Sequence, residues 1–369
     1  MIIPYESFNS LKWYGRTLDK DKIRYFDYSA SGFEFCFTGT KALADFVSDP
    51  QSWDDNTKGV IGIFTKELNS PEEYTGSSFW EHFPEADSQP VKIYLTSTTN
   101  VRTLFESESP KTVVIKVIKI SEAAFGYAGL KSLEIEGVMH SCTEESNNTK
   151  IEFIGDSITC GYGIEGVWEK DVFTTKQERA DLSYAFQTAK LLKADFHCCS
   201  WSGIGIISNY VDPATVNLPD THWLMPALWP YTDKSLSLRL GIEPEVWNEA
   251  KFSPDIVVIH LGTNDASWVR AIEDRRLSYV SGLRQLIEAV HRRSPKAKIC
   301  CCLGIMGQEL CPSVEEAVTL FAKDFPAVKV KALQFPVQNE ADGIAADWHP
   351  SAATHKKAAE LLAQALKNW

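Results

Sequence analysis

At 369 residues, 44% of them hydrophobic and 23% charged, the chain exceeds the usual size of one hydrophobic core, so two domains are expected. Its 49 acidic side chains against 37 basic ones give a formal charge of -12, which repels nucleic-acid backbones and anionic lipid surfaces. No apolar run reaches the roughly 20 residues that a membrane helix needs, so nucleic-acid and membrane partners are excluded and a neutral small-molecule substrate is favoured.

Met1-Ile2-Ile3-Pro4-Tyr5-Glu6 has neither the basic nor the hydrophobic stretch of a signal peptide. The expected compartment is therefore the cytoplasm, or the exterior if the chain was trimmed. The nine cysteines include the runs Cys198-Cys199 and Cys300-Cys301-Cys302 inside apolar, strand-like segments, and they read as buried reduced thiols. Without a CxxC pair or a Cys/His ligand spacing, no metal site and no other cofactor is expected.

The first predicted elements are strands. Period-two alternation marks Phe33-Glu34-Phe35-Cys36-Phe37-Thr38, then Val91-Lys92-Ile93-Tyr94-Leu95-Thr96, then Val114 to Ile120. With turn residues between these runs and little helical periodicity, residues 1–140 are expected to form an antiparallel β-sandwich, specifically a jelly roll.

The polar stretch Ser141 to Lys150 separates two pattern regimes and marks a domain boundary. Beyond it, apolar runs at Ile151 to Ile154, Phe196 to Ser200, Ile256 to Leu261, Ile299 to Leu303 and Val328 to Phe335 suit buried parallel strands. Helical patterns lie between them. One carries Leu277, Val280, Leu283, Ile287 and Val290 on a single face, and the last, from about Ser351, carries Ala358, Leu361, Leu362 and Ala365. Residues 150–369 are thus predicted to be a doubly wound α/β domain, and the chain as a whole belongs to the α/β class with an N-terminal β-sandwich.

Four short motifs accompany that second pattern: Gly155-Asp156-Ser157 after one strand, Ser202-Gly203 after the next, Gly262-Thr263-Asn264-Asp265 after a third, and His349-Pro350 before the last helix. Three of them fall at carboxyl ends of strands, where sites of open parallel sheets gather. Ser157 offers a hydroxyl, Gly203 and Asn264 offer hydrogen-bond donors for an oxyanion, and His349 offers a base near neutral pH. That set is what acyl transfer requires. Gly205 is a second candidate for the glycine donor. Asp156 and Asp265 are read as structural acceptors for loop or helix N-terminal amides.

These blocks resemble the SGNH (GDSL-like) hydrolase superfamily, in which a Ser, a Gly, an Asn and a His each mark one block; Ser157, Gly203, Asn264 and His349 match. The strings Gly155-Asp156-Ser157-Ile158-Thr159-Cys160-Gly161-Tyr162-Gly163 and Trp348-His349-Pro350-Ser351, behind an all-β domain, are similar to carbohydrate esterase family 2. The resemblance implies a jelly-roll domain joined to an SGNH domain, and removal of acetyl groups from xylan and related sugars. The superfamily commonly has an Asp three residues before its His, where this chain has Ala346; the nearest is Asp347. Either the Asp347 carboxylate completes a triad or a main-chain carbonyl orients His349, as in some family 2 members.

Trp201, Trp268 and Trp348 lie beside motif residues and are candidate substrate-binding residues, because aromatic faces stack on sugar rings. The aromatic- and proline-rich segment from Asn209 to Trp247 reads as long loops of the kind that often carry function. The expected activity is acetyl-ester hydrolysis on xylo-oligosaccharides or related sugars by a serine esterase, with an acetylated oligosaccharide as partner and a homo-oligomer permitted. A broader SGNH esterase, lipase or thioesterase and a non-catalytic carbohydrate-binding protein are the alternatives.

Overall fold

The computed structural model describes residues 2–49, 57–83, 89–96, 100–141 and 146–369. The chain divides into two compact units, residues 1–148 with 174–176 and residues 149–173 with 177–369. Of the polar stretch 141–150 read as a boundary, residues 142–145 lie outside the described residues.

The first unit is built from β1 (Ile2–Ile3), β2 (Lys12–Tyr14), β3 (Thr17–Lys20), β4 (Ile23–Phe26), β5 (Gly32–Ser48), β6 (Val60–Leu68), β7 (Val91–Tyr94), β8 (Asn100–Lys119) and β9 (Ala128–His140). They form one antiparallel sheet in the order β3-β4-β9-β5-β8-β6-β7, with β1 on β9 and β2 on β5. The sandwich is therefore a single curled sheet with continuous hydrogen bonding. Alternation sends Phe33, Phe35 and Phe37 into a core shared with Phe26, Ile61, Ile63, Val113, Ile115 and Val117. Register shifts beside Gly39 and Ala42 in β5 supply local bends that help a long strand curl.

The other face of β5 is covered too. Cys36 and Val114 pack with Leu68 and Tyr74, and the cross-strand pair Glu34 and Lys116 forms a buried ion pair on which Tyr74 Oη also donates to Glu34 at 3.2 Å. Lys116 lies 5.0 Å from the ring centroid of Phe79, so aromatic residues rather than water roof these charges.

The second unit begins with β10 (Lys150–Gly155), α1 (Ser157–Cys160), α2 (Tyr184–Leu192) and β11 (Asp195–Ser200). The short helices α3 (Met225–Leu228) and α4 (Lys234–Arg239) follow, then β12 (Ile256–His260), α5 (Thr263–Val269) and α6 (Glu273–Arg293). It ends with β13 (Lys298–Leu303), α7 (Cys311–Asp324), β14 (Val330–Gln334) and α8 (Ala352–Lys367). The five strands are parallel in the order β11-β10-β12-β13-β14. Every residue of β12 is buried, as continuous apolar runs demand of a sheet covered on both faces. Cys198, Cys199, Cys300, Cys301 and Cys302 are buried free thiols.

Helix α6 buries Tyr279, Val280, Leu283, Leu286, Ile287 and Val290. Leu277, expected on that face, is 46% exposed, because only the later turns of the helix are packed. Helix α8 starts at Ser351, whose Oγ accepts from Thr354 N–H at 3.3 Å as an N-cap. Among the described residues no helix is long and apolar enough to cross a membrane.

The strand order places the functional motifs. From β10 the chain goes first to β11 on one side and later to β12 on the other, so a crevice opens beyond the carboxyl ends of β10 and β12. Gly155 is in register with Ser200 on one side and His260 on the other, so the three strands end level.

Candidate active site

Ser157 is the first residue of α1, directly after the end of β10. Asp156 is extended (φ -105°, ψ -155°) and its carboxylate accepts from Ile158 N–H at 3.0 Å, which caps the helix and fixes the turn. A Cβ on Gly155 would lie 2.0 Å from Thr159 Oγ1, so the tight strand-to-helix turn requires glycine there. Ser157 is 5% exposed, and its N–H precedes the helical hydrogen-bond ladder.

Nε2 of His349 lies 2.8 Å from Ser157 Oγ. Nδ1 lies 3.1 Å from the main-chain carbonyl oxygen of Asp347. A carbonyl only accepts, so Nδ1 carries the proton and Nε2 presents its lone pair to the serine hydroxyl. Two consecutive non-glycine residues in the left-handed region, Asp347 (φ 50°) and Trp348 (φ 63°), turn that carbonyl toward the ring.

This geometry favours the second of the two alternatives left open for Asp347, the main-chain carbonyl. The Asp347 carboxylate makes no hydrogen bond to the imidazole among the described residues and accepts from Tyr162 Oη at 2.8 Å; the residue meets His349 Nδ1 through its main-chain carbonyl. The physical reason is the left-handed turn, which presents carbonyl and side chain to different neighbours. Burial of the ring holds His349 below the usual histidine value, with the Asp347 carbonyl pulling the other way.

Tyr162 was not singled out from the sequence, although it stands in the first motif string. Its ring lies 4.3 Å from that of His349 and stacks at 3.7 Å and 9° on Phe173. The imidazole thus rests on an aromatic pile whose outer edge is tied to Asp347.

The donors come from the next two strand ends. Gly203 has φ +76° and open space where a Cβ would sit, so glycine is needed for its backbone angle alone. Its N–H has no hydrogen-bond partner among the described residues, and its carbonyl accepts from Tyr210 N–H at 2.9 Å. Gly205, the other candidate, donates its N–H to Asn209 Oδ1 at 3.2 Å, and a Cβ there would lie 1.8 Å from Ser208 O. It is a packing glycine.

Asn264 lies in the first turn of α5 and donates one amide hydrogen to Ile204 O at 2.8 Å, which orients the side chain and leaves its second hydrogen to aim elsewhere. Its neighbour Asp265, fully buried, accepts from the N–H groups of Ile206 (3.0 Å), Ile207 (2.8 Å) and Ser208 (3.1 Å). Asn264 and Asp265 therefore grip the loop that carries Gly203 from both its carbonyl and its amide side. Burial pushes the Asp265 carboxyl up to about 6 against the pull of those three amides.

The tryptophans differ in accessibility. Trp348 is 43% exposed and meets Trp168 edge to face at 5.5 Å, beside His349. Trp268 has the Arg275 guanidinium 4.7 Å from its ring centroid, and Trp201 is half-buried. Among the described residues no group of three or more His, Cys, Asp or Glu is placed to hold a metal ion.

Residues 153–357, more than half of the chain, match the profile of the GDSL-like Lipase/Acylhydrolase family. The chain belongs to that family. This GDSL-like hydrolase is 39% identical over 223 residues to Cellulase/esterase CelE of Acetivibrio thermocellus, a match covering 59% of this chain and 25% of that protein. It is 29% identical over 213 residues to an Acetylxylan esterase / glucomannan deacetylase of Cellvibrio japonicus, covering 57% of this chain and 54% of the relative. The matches thus span a quarter to about half of the length of these curated relatives.

Among solved structures, the GDSL-like hydrolase superposes on a family two carbohydrate esterase from Clostridium thermocellum in complex with cellohexaose. The TM-score is 0.78 at 30% identity, over 97% of this chain and 98% of that one. It superposes on an acetyl xylan esterase from Butyrivibrio proteoclasticus with a TM-score of 0.82 at 20% identity, over 100% and 98% of the two chains, a likeness of fold. The Clostridium likeness extends the family match across both units.

Proposed function

We propose that this GDSL-like hydrolase is a serine esterase that removes acetyl groups from acetylated carbohydrates, xylo-oligosaccharides or related sugars, through an acyl-enzyme. The observation that carries the reading is the 2.8 Å contact between Ser157 Oγ and a His349 ring whose other nitrogen is held by a carbonyl. The names of the Cellvibrio relatives, acetylxylan esterase and glucomannan deacetylase, support the substrate class.

Ser157 Oγ attacks the acetyl carbonyl carbon while its proton passes to His349 Nε2, and the carbonyl π pair moves onto oxygen. That oxyanion is received by the N–H groups of Ser157 and Gly203 and the free amide hydrogen of Asn264. Collapse expels the sugar oxygen, which takes the proton back from Nε2. Water then repeats the cycle on the acyl-serine and releases acetate. Trp348, exposed beside the base, is the surface on which a sugar ring stacks; Trp201 and Trp268 are weaker candidates, the second because Arg275 occupies one of its faces.

The test is acetate release from acetylated xylo-oligosaccharides, run beside a long-chain ester and with Ser157→Ala as control. Serine-dependent acetate release with little long-chain cleavage is expected. Preference for the long chain would replace this reading with a general esterase, and no cleavage of any ester would replace it with a carbohydrate-binding protein.

A further inference from the structure

When His349 accepts the serine proton it becomes a cation, and its Nδ1 meets a carbonyl dipole rather than a carboxylate. Another carboxylate is buried next to the nucleophile. Asp156 is fully buried; one of its oxygens, Oδ1, accepts from Ile158 N–H, and Oδ2 has no hydrogen bond among the described residues. Facing it is His260, also fully buried, whose Nδ1 lies 3.7 Å from Asp156 Oδ1, beyond hydrogen-bond distance, and whose two ring nitrogens make no hydrogen bond among the described residues. The register of β12 against β10 sets His260 beside Gly155, so the pair is built into the sheet directly behind Ser157.

Two buried polar groups without a hydrogen-bond partner among the described residues are costly unless they serve each other or a third group. We propose that Asp156, held by Ile158 N–H beside the buried His260, is a positioning residue that stabilises the His349 imidazolium through space, where the Asp347 carboxylate, bonded to Tyr162, makes no hydrogen bond to the ring. The inference rests on the serine-esterase reading of the same site.

The surrounding electrostatics agree. After ring burial and the Asp347 carbonyl, the charge of Asp156 is the next largest influence on His349 and precedes that of Asp347, both favouring the protonated ring. The other titratable groups facing Asp156 are Tyr184 from α2, Tyr279 from α6 and Cys302 from β13, all held protonated by burial. His355 from α8 faces both His349 and His260 and is neutral at working pH, its value lowered to about 3.

Asp156→Asn tests this, because asparagine retains an oxygen to cap Ile158 N–H while losing the charge; Asp156→Ser is a second uncharged cap should the first misfold. Two quantities are read on the full chain: the His349 titration midpoint by NMR, assigned by comparison with His349→Gln, and the acid limb of kcat/KM on p-nitrophenyl acetate. Removing the anion favours the neutral ring, so the midpoint and the limb should both fall by about one pH unit, with kcat/KM down about tenfold or more. Asp347→Asn should move the midpoint by less than half as much. An unmoved midpoint in the Asp156 variants, or an equal shift in Asp347→Asn, overturns the proposal. The NMR arm needs no substrate, so failure of the esterase reading, seen as no Ser157-dependent hydrolysis by the wild type, is distinguishable from failure of this inference.

Discussion

Nδ1 of His349 lies 3.1 Å from the main-chain carbonyl of Asp347, while the carboxylate of that same residue accepts a hydrogen bond from Tyr162. One residue thus orients the base with its backbone and secures the aromatic support of the base with its side chain. Asp347→Asn tolerates the left-handed backbone and keeps an acceptor for Tyr162, so turnover should fall by less than about tenfold. His349→Ala removes the base and should cost about 10⁴ or more. Comparable losses in kcat for the two variants, with both folded by circular dichroism, would mean that the carboxylate itself takes part.

Asn264 donates one amide hydrogen to Ile204 O, and in the proposed mechanism the other serves the oxyanion. Asn264→Ala should lower kcat by about 10² to 10³, roughly 3 to 4 kcal/mol of transition-state stabilisation, and leave KM within a few-fold. A KM effect with unchanged kcat would move Asn264 from the oxyanion to ground-state binding.

His355 is fully buried, accepts from Tyr184 N–H at 3.0 Å, and is lowered by burial from 6.5 to about 3. Between those two values the unfolded chain binds the proton and the folded chain does not, so stability is present above pH 6.5 and is lost as pH falls toward 3. The loss from this one group approaches about 1.4 kcal/mol per pH unit. His355→Asn retains an acceptor for Tyr184 and should flatten that part of the stability profile in urea titrations from pH 7 to pH 4. An unchanged slope would assign the acid sensitivity to other groups.

Glu34 and Lys116 are each 1% exposed and pair across β5 and β8. Glu34→Ala leaves an ammonium buried without its partner and should destabilise the first unit by about 3 to 5 kcal/mol. Replacing both residues by apolar side chains of similar size should recover most of that loss. Denaturant unfolding of the single and double variants measures it; equal destabilisation by both would show that the geometry of the pair, rather than its charge balance, holds the strands.

Much of the framework was legible because it is local. Alternating Phe33, Phe35 and Phe37 and the apolar runs at 151–154 and 256–261 follow from side-chain periodicity, and the turn at Ser157 follows from Gly155 and Asp156 within three residues. The candidates Ser157, Gly203, Asn264 and His349 were visible because their chemistry stands at predicted strand and helix ends. Leu277 misled because an apolar residue at the right spacing is buried only where another element covers it.

By itself, then, the sequence determined which segments become strands and helices and which side chains carry a hydroxyl, a base and amide donors, since those depend on neighbours along the chain. Tertiary structure alone decided that the Asp347 carbonyl rather than its carboxylate bonds His349, that Gly203 rather than Gly205 keeps an N–H without a partner among the described residues, and that Asp156 and His260 share a buried contact. These choices depend on a backbone angle, a loop partner and a strand register, and residue identity encodes none of the three.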